Sequence, residues 1–315
     1  MHTKRQWMVT HEWMVKPMQQ TEWIEGQGLL IWMAEVFSAL GMGLYLVSLF
    51  FNNWWGALAG WLIIVALKLP FHFFYLGKPW RFWRAIPPFT NAWRTSWIAR
   101  GMFFTTFFAG FALIQLITTY LLDHGMVAAS AVGAVTAIDW IFRILAGVFS
   151  LLTGIYCGFM MSYCKSVPFW NTGLLPIVFV IMGLADGLAL IMAVGLIFGG
   201  VDFHVIEIAS RWALIVNALL IGTYLMNASY QSVTAEFSVK QLIVGRVAAA
   251  FWIGVVILGI AVPLLISIAS IFAGAASPPL LILAIICHTV GAFALKYCVL
   301  KVGIYRPILS RVATY

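Results

Sequence analysis

The sequence predicts an all-α integral membrane protein of eight transmembrane helices with both termini on the same side. Of its 315 residues, 63% are hydrophobic and 9% are charged, whereas soluble domains carry about 25% charged residues. Apolar runs of roughly 20 residues, long enough to cross a bilayer as a helix, recur along the whole chain. They lack the alternation of polar and apolar residues that barrel strands show.

The apolar runs divide the chain into a polar N-terminal segment (1–26), a membrane domain (27–302) and a tail (303–315). The first segment lacks the apolar core and cleavage site of a signal peptide, so we expect the first span to direct insertion. The fourth run is longer than a bilayer requires, so an alternative is that residues 126–136 lie at the membrane surface instead of within the span. The spans are predicted at residues 27–52, 54–77, 98–122, 133–163, 171–198, 205–228, 243–273 and 278–302.

Positive charge is confined to one side of the predicted bundle. The four loops opposite the termini contain no Lys or Arg. Under the positive-inside rule this asymmetry predicts that both termini are cytoplasmic. The net charge of +8 therefore indicates topology, anionic lipid headgroups or an acidic partner, not nucleic acid. The segments on the side of the termini hold Lys4, Arg5, Lys16, Lys78, Arg81, Arg84, Arg94, Arg100, Lys165, Lys240, Arg246, Lys301, Arg306 and Arg311.

The loop after the second span, residues 78–97, is unusually rich in cations and tryptophans. Tryptophans at this position are typical of an aromatic belt at the level of the lipid headgroups. Three prolines stiffen the same backbone, which favours a rigid surface over a flexible tether. We call this segment the basic–aromatic loop; its marked residues are Lys78, Pro79, Trp80, Arg81, Trp83, Arg84, Pro87, Pro88, Trp93, Arg94 and Trp97, with Arg100 just beyond it.

Several ionisable residues fall inside predicted spans, where a charge costs at least about 2.5 kcal/mol at mid-bilayer. We expect them to face the bundle interior and to find partners there. Asp139 with Arg143, and Glu207 with Arg211, have the i,i+4 spacing of a helix pair. Either these pairs neutralise themselves, or they belong to a proton path or a polar pocket for a redox ligand. They include Glu35, Lys68, His72, Asp139, Arg143, Asp186, Glu207, Arg211, His288 and Lys296.

Glu35 has no cation in its own span. It is therefore predicted to be neutral, with a raised pKa, or paired with another helix, for which Lys68, Arg143 and Arg211 are candidates.

The sequence contains little that indicates a cofactor of its own. The four cysteines lie in apolar runs without a C-x-x-C motif, which favours packing over metal or disulfide roles. Only His72 and His288 lie well within spans, one in each, so a haem held by that pair is a weak alternative and no haem is expected. No nucleotide loop, metal motif or catalytic triad is present.

Five stretches, in order along the sequence, resemble the NrfD-like family of polysulfide reductase membrane subunits, which is related to the DMSO reductase membrane anchor. The corner Tyr-Leu-Gly-Lys-Pro at 75–79 is similar to the family's "DLGRP" or "HLGxP". GIYCGFMM (154–161) resembles "YtGxLL", and PFWNTGLLPIVFVIMGLADG (168–187) resembles "pfWntpllPxxFxxsglxxG". FWIGVVILGIAVPLLI (251–266) and GAFALKYCVLKVG (291–303) are similar to its seventh and eighth spans.

This resemblance implies a haem-free, eight-helix subunit of a respiratory complex in the prokaryotic cytoplasmic (inner) membrane. Such subunits pass electrons between a membrane quinone (menaquinone or ubiquinone) and a ferredoxin-like four-cluster iron–sulfur subunit. That partner connects to a molybdopterin catalytic subunit, so iron–sulfur clusters and molybdopterin are expected only in the partners. The basic–aromatic loop then becomes the docking surface, through Lys78, Arg81, Trp83, Arg84, Trp93 and Arg94.

The resemblance also suggests quinone contacts. Tyr156 matches the tyrosine of the family's fourth span, and Glu25 and Gln27 stand where relatives carry polar residues that touch the ring. Tyr75 takes the place of an Asp or His, and His72 shares its helix face and could pass protons instead. Lys78 and Lys296 also depart from the family pattern, which has Arg at both positions. The remaining set, assigned to a proton path or buried polar structure, is Glu35, Lys68, Asp139, Arg143, Asp186, Glu207 and Arg211.

Two other functions fit the same buried charges. A secondary transporter or proton-coupled carrier would use them for substrate coupling, although no pair of interrupted spans is evident. A haem-bearing cytochrome b-type subunit is the second.

Overall fold

The structure, a computed structural model, describes residues 16–274 and 277–307. Within this part of the protein, eight helices are long and apolar enough to cross a membrane, which confirms the predicted fold class. They are α1 (Gly28–Phe50), α2 (Trp54–Tyr75), α4 (Trp97–Asp123), α5 (Val132–Ser162), α6 (Leu174–Phe198), α7 (Phe203–Gln231), α9 (Ala250–Ala273) and α10 (Pro278–Lys301). Two shorter helices are α3 (Asn91–Thr95) and α8 (Val233–Ile243).

Most helix bounds lie within three residues of the predicted ones. The seventh is the exception: α9 begins at Ala250 rather than at residue 243, because α8 ends at Ile243 and a polar turn around Gly245 and Arg246 separates the two helices. α5 runs unbroken from Val132, so only residues 126–131 precede it. Residues 1–15 of the predicted N-terminal segment and 308–315 of the tail lie outside the described residues.

The first and last described segments meet at one end of the bundle. Strand β1 (Met18–Gln19) pairs antiparallel with β2 (Ile304–Tyr305), and the Tyr305 hydroxyl donates to Glu22 Oε2 at 2.6 Å. Burial, together with that hydrogen bond, raises the pKa of Tyr305 to about 12. We call this the termini end, and the end with the loops at 51–53, 124–131 and 199–202 the far end.

Helices α1 and α6 form the centre of the bundle. α1 packs against α2, α5, α6 and α10, and α6 also contacts α5, α7 and α10. Glycine permits the α1–α6 contact, because a Cβ atom on Gly43 would lie 1.6 Å from the carbonyl oxygen of Gly183. The two most buried spans are therefore in contact, between them, with α2, α5, α7 and α10.

Two helices contain π-helical stretches, which occur frequently at functional sites. In α2 the stretch is Ile63–Lys68, and in α9 it is Ala250–Ala261. A proline follows each stretch, Pro70 in α2 and Pro263 in α9. Each π stretch thus changes the register of the helix close to one of the polar sites described next.

Candidate functional site

Four polar side chains from four helices lie at similar depth near the termini end. Glu35 (α1), Lys68 (α2), Tyr156 (α5) and Lys296 (α10) are each five to seven residues from the helix end that faces the termini. At 1.5 Å per residue this depth is about 8–10 Å. None of the four is more than 2% exposed. We call this group, together with His72, the polar cluster.

Tyr156 is the centre of the cluster. The Lys68 Nζ lies 5.0 Å from the centroid of its ring, and the His72 ring is edge-on at 6.4 Å. On the third side α4 presents Gly101, where an added Cβ would lie 2.4 Å from two ring carbons. A glycine at this point therefore makes the space that the tyrosine ring occupies.

Several polar atoms of the cluster lack partners. Within the described residues, both carboxylate oxygens of Glu35 and Nδ1 of His72 are buried without a hydrogen bond. Leaving a buried polar group unpaired costs about 1–3 kcal/mol, so such groups call for an explanation. Lys68 differs, since its Nζ donates to Thr105 Oγ1 at 2.5 Å. The cluster therefore offers both a fixed cation and unsatisfied groups to a ligand.

The cation that acts on Glu35 is Lys296 of α10, whose ammonium also lies 4.0 Å from the centroid of the Phe179 ring. The sequence did not suggest this neighbour, because 261 residues separate the two. Arg143 and Arg211 were wrong as candidate partners, since they lie near the far end and contact Asn52 and Ser267 respectively.

The other predicted quinone contacts lie nearer the surface. Glu25 is exposed and pairs with Lys301 at 2.5 Å. Gln27 is exposed at the N-cap of α1, and Tyr75 is half-buried at the end of α2. The geometry brings His72 to Tyr156 but does not place Glu25 or Gln27 in the polar cluster; their assigned role stays a prediction.

At the far end, the predicted pair of Asp139 and Arg143 is confirmed, with Arg143 Nε 3.7 Å from Asp139 Oδ2. The other carboxylate oxygen accepts hydrogen bonds from Thr118 and Thr119 of α4, at 2.8 and 2.6 Å. Arg143 also donates to Asn52 at 2.5 Å. This network joins α4 to α5.

The prediction that Glu207 and Arg211 pair with each other was wrong. Both side chains turn to the neighbouring helix α9 instead. Glu207 accepts from the hydroxyl of Ser270 at 2.7 Å, and Arg211 donates to the hydroxyl and carbonyl oxygens of Ser267 at 3.1 and 2.7 Å. The i,i+4 spacing allows a pair but does not compel one when another helix offers oxygen atoms.

Asp186 forms an interhelical pair that sequence reasoning missed. His288 Nε2 of α10 lies 3.0 Å from Asp186 Oδ1 of α6, and His288 Nδ1 lies 2.9 Å from the carbonyl oxygen of Gly259 in α9. The pair is within ion-pair distance, although no hydrogen bond of good geometry joins it. Since both ring nitrogens face protein oxygens, His288 is poorly placed to ligate a haem iron.

The basic–aromatic loop is folded, as its prolines predict. Residues Pro79–Ala85 form a 3₁₀ turn and α3 follows. Arg100 ties the loop to α4: it donates to the carbonyl oxygens of Trp93 and Arg94 at 2.9 and 2.8 Å and lies 4.4 Å from the Trp97 ring centroid. Trp93 is half-buried. The exposed members are Lys78, Trp80, Arg81, Trp83, Arg84 and Arg94.

Neither metal nor disulfide chemistry is indicated in the part of the protein that the structure describes. No group of three or more His, Cys, Asp or Glu side chains is arranged to hold a metal ion among residues 16–274 and 277–307. All four cysteines are free, and Cys157, Cys287 and Cys298 are buried.

The fold and the polar cluster define a polytopic helical membrane protein with a polar site inside the bundle. A family model described as "Polysulphide reductase, NrfD" matches residues 37–307. Because the match extends over most of the sequence, the protein belongs to the NrfD family.

Three curated proteins are similar to this one. The C subunit of the polysulfide reductase of Wolinella succinogenes is 29% identical over 174 residues, which are 51% of this protein and 53% of that subunit. The NrfD homolog of Haemophilus influenzae is 22% identical over 257 residues, covering 73% and 75% of the two proteins. Protein NrfD of Escherichia coli is 25% identical over 222 residues, covering 64% and 68%. The match thus spans about half the length of the polysulfide reductase subunit.

Proposed function

We propose that this protein is the quinone-reactive membrane subunit of a respiratory oxidoreductase complex. It exchanges electrons between a membrane quinone and an iron–sulfur partner subunit. Membership of the NrfD family supports the role of a membrane subunit, and a relative named as one of the chains of a polysulfide reductase supports membership of a multi-subunit oxidoreductase. Beyond this coarser role, we propose that the protein reacts with quinone and that its partner carries iron–sulfur clusters.

The observation that carries the proposal is the polar cluster. A quinone headgroup has two carbonyl oxygens that need hydrogen-bond donors, and its reduction to quinol takes up two protons. The Tyr156 hydroxyl, the Lys68 ammonium and the His72 ring can supply donors, and the unpartnered Glu35 carboxyl can hold a proton. Pockets for apolar ligands typically combine apolar walls with a few such convergent polar groups.

The basic–aromatic loop supports the second half of the proposal. It lies at the termini end, beyond the last turn of α2 and before the first turn of α4. Exposed cations attract and orient an acidic partner, and Trp and Arg are the side chains that most often anchor an interface. We infer an acidic, ferredoxin-like four-cluster iron–sulfur protein as the docked partner, joined to a molybdopterin catalytic subunit.

The decisive substitution is Tyr156→Phe, which removes a hydroxyl and keeps the ring against Gly101. In the purified complex we expect quinol-linked turnover to fall roughly 100-fold, the scale on which positioned proton-transfer groups act, while the complex still assembles. Tyr45→Phe is the matched control, since Tyr45 is equally buried but its hydroxyl donates to Gln115. Equal turnover in wild type and Tyr156→Phe would remove this tyrosine from the site.

Extraction and chromatography of the wild-type complex test the ligand directly, and we expect bound menaquinone or ubiquinone and no haem absorption band. A haem band would favour the cytochrome alternative instead. Transport has less support, because α2 and α9 pass through their π stretches as continuous helices within the described residues.

A further inference from the structure

Polar groups continue from the polar cluster to the far end, along α6, α7, α9 and α10. Glu35 and Lys296 lie near the termini end. Asp186 and His288 lie about halfway along α6 and α10, and Glu207 lies four residues into α7 at the far end. We propose that these residues form a proton relay that connects the candidate quinone site with the far side of the membrane. This inference rests on the proposed function.

His288 is built to exchange a proton. His288 Nδ1 lies 2.9 Å from the carbonyl oxygen of Gly259, within the π stretch of α9. A carbonyl only accepts, so Nδ1 must carry the hydrogen and Nε2 faces Asp186. One proton can then reside either on Nε2 or on the carboxyl group 3.0 Å away, and a second can join them to give imidazolium beside a neutral acid.

Small cavities flank His288 on both sides. The cavity toward the far end has a volume of about 20 Å³ open to the centre of a water molecule and is lined by Glu207, Ser210, Ser267 and His288. The cavity on the other side, about 10 Å³, is lined by Asn217 and His288. A water molecule needs roughly 10–15 Å³ by this measure and two to four polar partners, so each cavity has room for about one.

Unsatisfied polar atoms lie beside His288. Within the described residues, both Asp186 oxygens and Asn217 Oδ1 are buried without a hydrogen bond. Lys296 is close enough to interact electrostatically with both Asp186 and Glu35. Lys296 packs against Phe179 of α6. Phe179 precedes Asp186 by seven residues, which is a distance of about 10 Å along the helix. Further waters have to span that segment.

The transfer involves protons alone. During quinone reduction, a proton from water at the far face binds the Glu207 carboxylate, crosses the first cavity to the Asp186–His288 pair, and then passes to Glu35 beside Tyr156; during quinol oxidation the same steps run in reverse. At each step one O–H or N–H bond breaks and one forms, and no electron moves. The groups that face His288 are Asp186 from α6, the Gly259 carbonyl from α9 and, across the cavity, Glu207 from α7.

The test uses the whole complex in proteoliposomes, with a soluble quinol analogue, an electron-accepting dye and a membrane-impermeant pH indicator in the compartment at the far face. We expect wild type to exchange protons with that compartment during turnover, and Glu207→Gln and Asp186→Asn each to lower this exchange at least about tenfold. Glu207→Asp should restore part of it. Asp139→Asn is the matched control, a buried carboxyl at the far end of a different helix pair.

Glu207→Gln and Asp186→Asn lie on different helices. If one variant does not accumulate in the membrane, the other still tests the relay. Unchanged far-face exchange in an assembled variant, or wild-type exchange confined to the termini face, overturns the relay and leaves the proposed function intact. An assembled wild-type complex that does not oxidise or reduce quinone overturns the proposed function, and the relay with it.

Discussion

The two ends of the bundle accommodate buried charge in opposite ways. At the far end, Asp139 accepts two hydrogen bonds from threonines of α4 and is paired with Arg143. At the termini end, both oxygens of Glu35 and Nδ1 of His72 are buried without a hydrogen-bond partner in the described part of the protein. The two carboxylates are similarly buried, 6% exposed for Asp139 and 2% for Glu35, so burial does not explain the difference.

The two carboxylates differ in whether the protein itself supplies their hydrogen-bond partners. A carboxylate surrounded by its own donors stabilises the contact between two helices. A carboxylate without them costs folding free energy, and rigid neighbours must hold it in place. The comparison therefore separates charge that serves structure from charge that awaits a ligand or a proton, and substitutions at the two ends should have opposite consequences.

The largest expected effect follows from Glu35→Gln. Without a carboxyl group to hold the proton, quinol-linked turnover should fall roughly 100-fold. The thermal stability of the complex should stay about the same, because the Glu35 carboxyl makes no hydrogen bond that the amide would lose. Asp139→Asn should do the reverse and lower stability by about 1–3 kcal/mol with turnover nearly unchanged. Thermal unfolding and quinol oxidation, measured on the same preparations, check both halves.

Loss of stability in Glu35→Gln with normal turnover would contradict this comparison. It would mean that Glu35 is a structural residue whose partner is supplied in the membrane, for example by an ordered water.

A smaller effect is expected from Gly101→Ala, which brings a methyl group into the space of the Tyr156 ring. Overpacking of this kind costs about 1–3 kcal/mol, and displacement of the ring should lower turnover by about tenfold. Gly110→Ala, on the same helix with no heavy atom within 4 Å of the added Cβ, is the control and should be neutral or slightly stabilising. Equal effects of the two substitutions would show that Gly101 matters only for helix propensity.

The fold could be predicted from the sequence because hydrophobic length is a local property. Eight apolar runs sufficed to place eight helices, and the one clear error, the start of α9, arose where the apolar composition continues across the turn after α8. The polar turn around Gly245 and Arg246 was the available signal.

The site could be predicted only in part, because its contacts are not local. The spacing of Asp139 and Arg143 predicted their pair, yet the same spacing failed for Glu207 and Arg211, where α9 offered serine oxygens. The neighbours Glu35 and Lys296, and the pair of Asp186 and His288, join residues far apart in the sequence. A single sequence contains no signal for either.

The smallest effect concerns the outer surface of the termini end. The far-end loops carry no Lys or Arg, whereas the basic–aromatic loop exposes several cations. Reversing two of them, Arg81→Glu with Arg84→Glu, should weaken binding of the acidic partner by about tenfold at low salt, mainly through a slower association rate. The control is Lys240→Glu, which reverses an exposed charge at the same end but outside the loop, where Lys240 pairs with Glu236 at 2.6 Å.

Salt distinguishes docking from a general charge effect. Screening shortens the range of exposed charges to about 8 Å at 0.15 M ionic strength, so the difference between wild type and the loop variant should shrink as salt rises. The intramembrane variants should keep their defects at every salt concentration, since their groups are shielded from ions. If the loop variant binds its partner as well as wild type at low salt, the docking surface lies elsewhere, and the cations of the termini end serve membrane orientation alone.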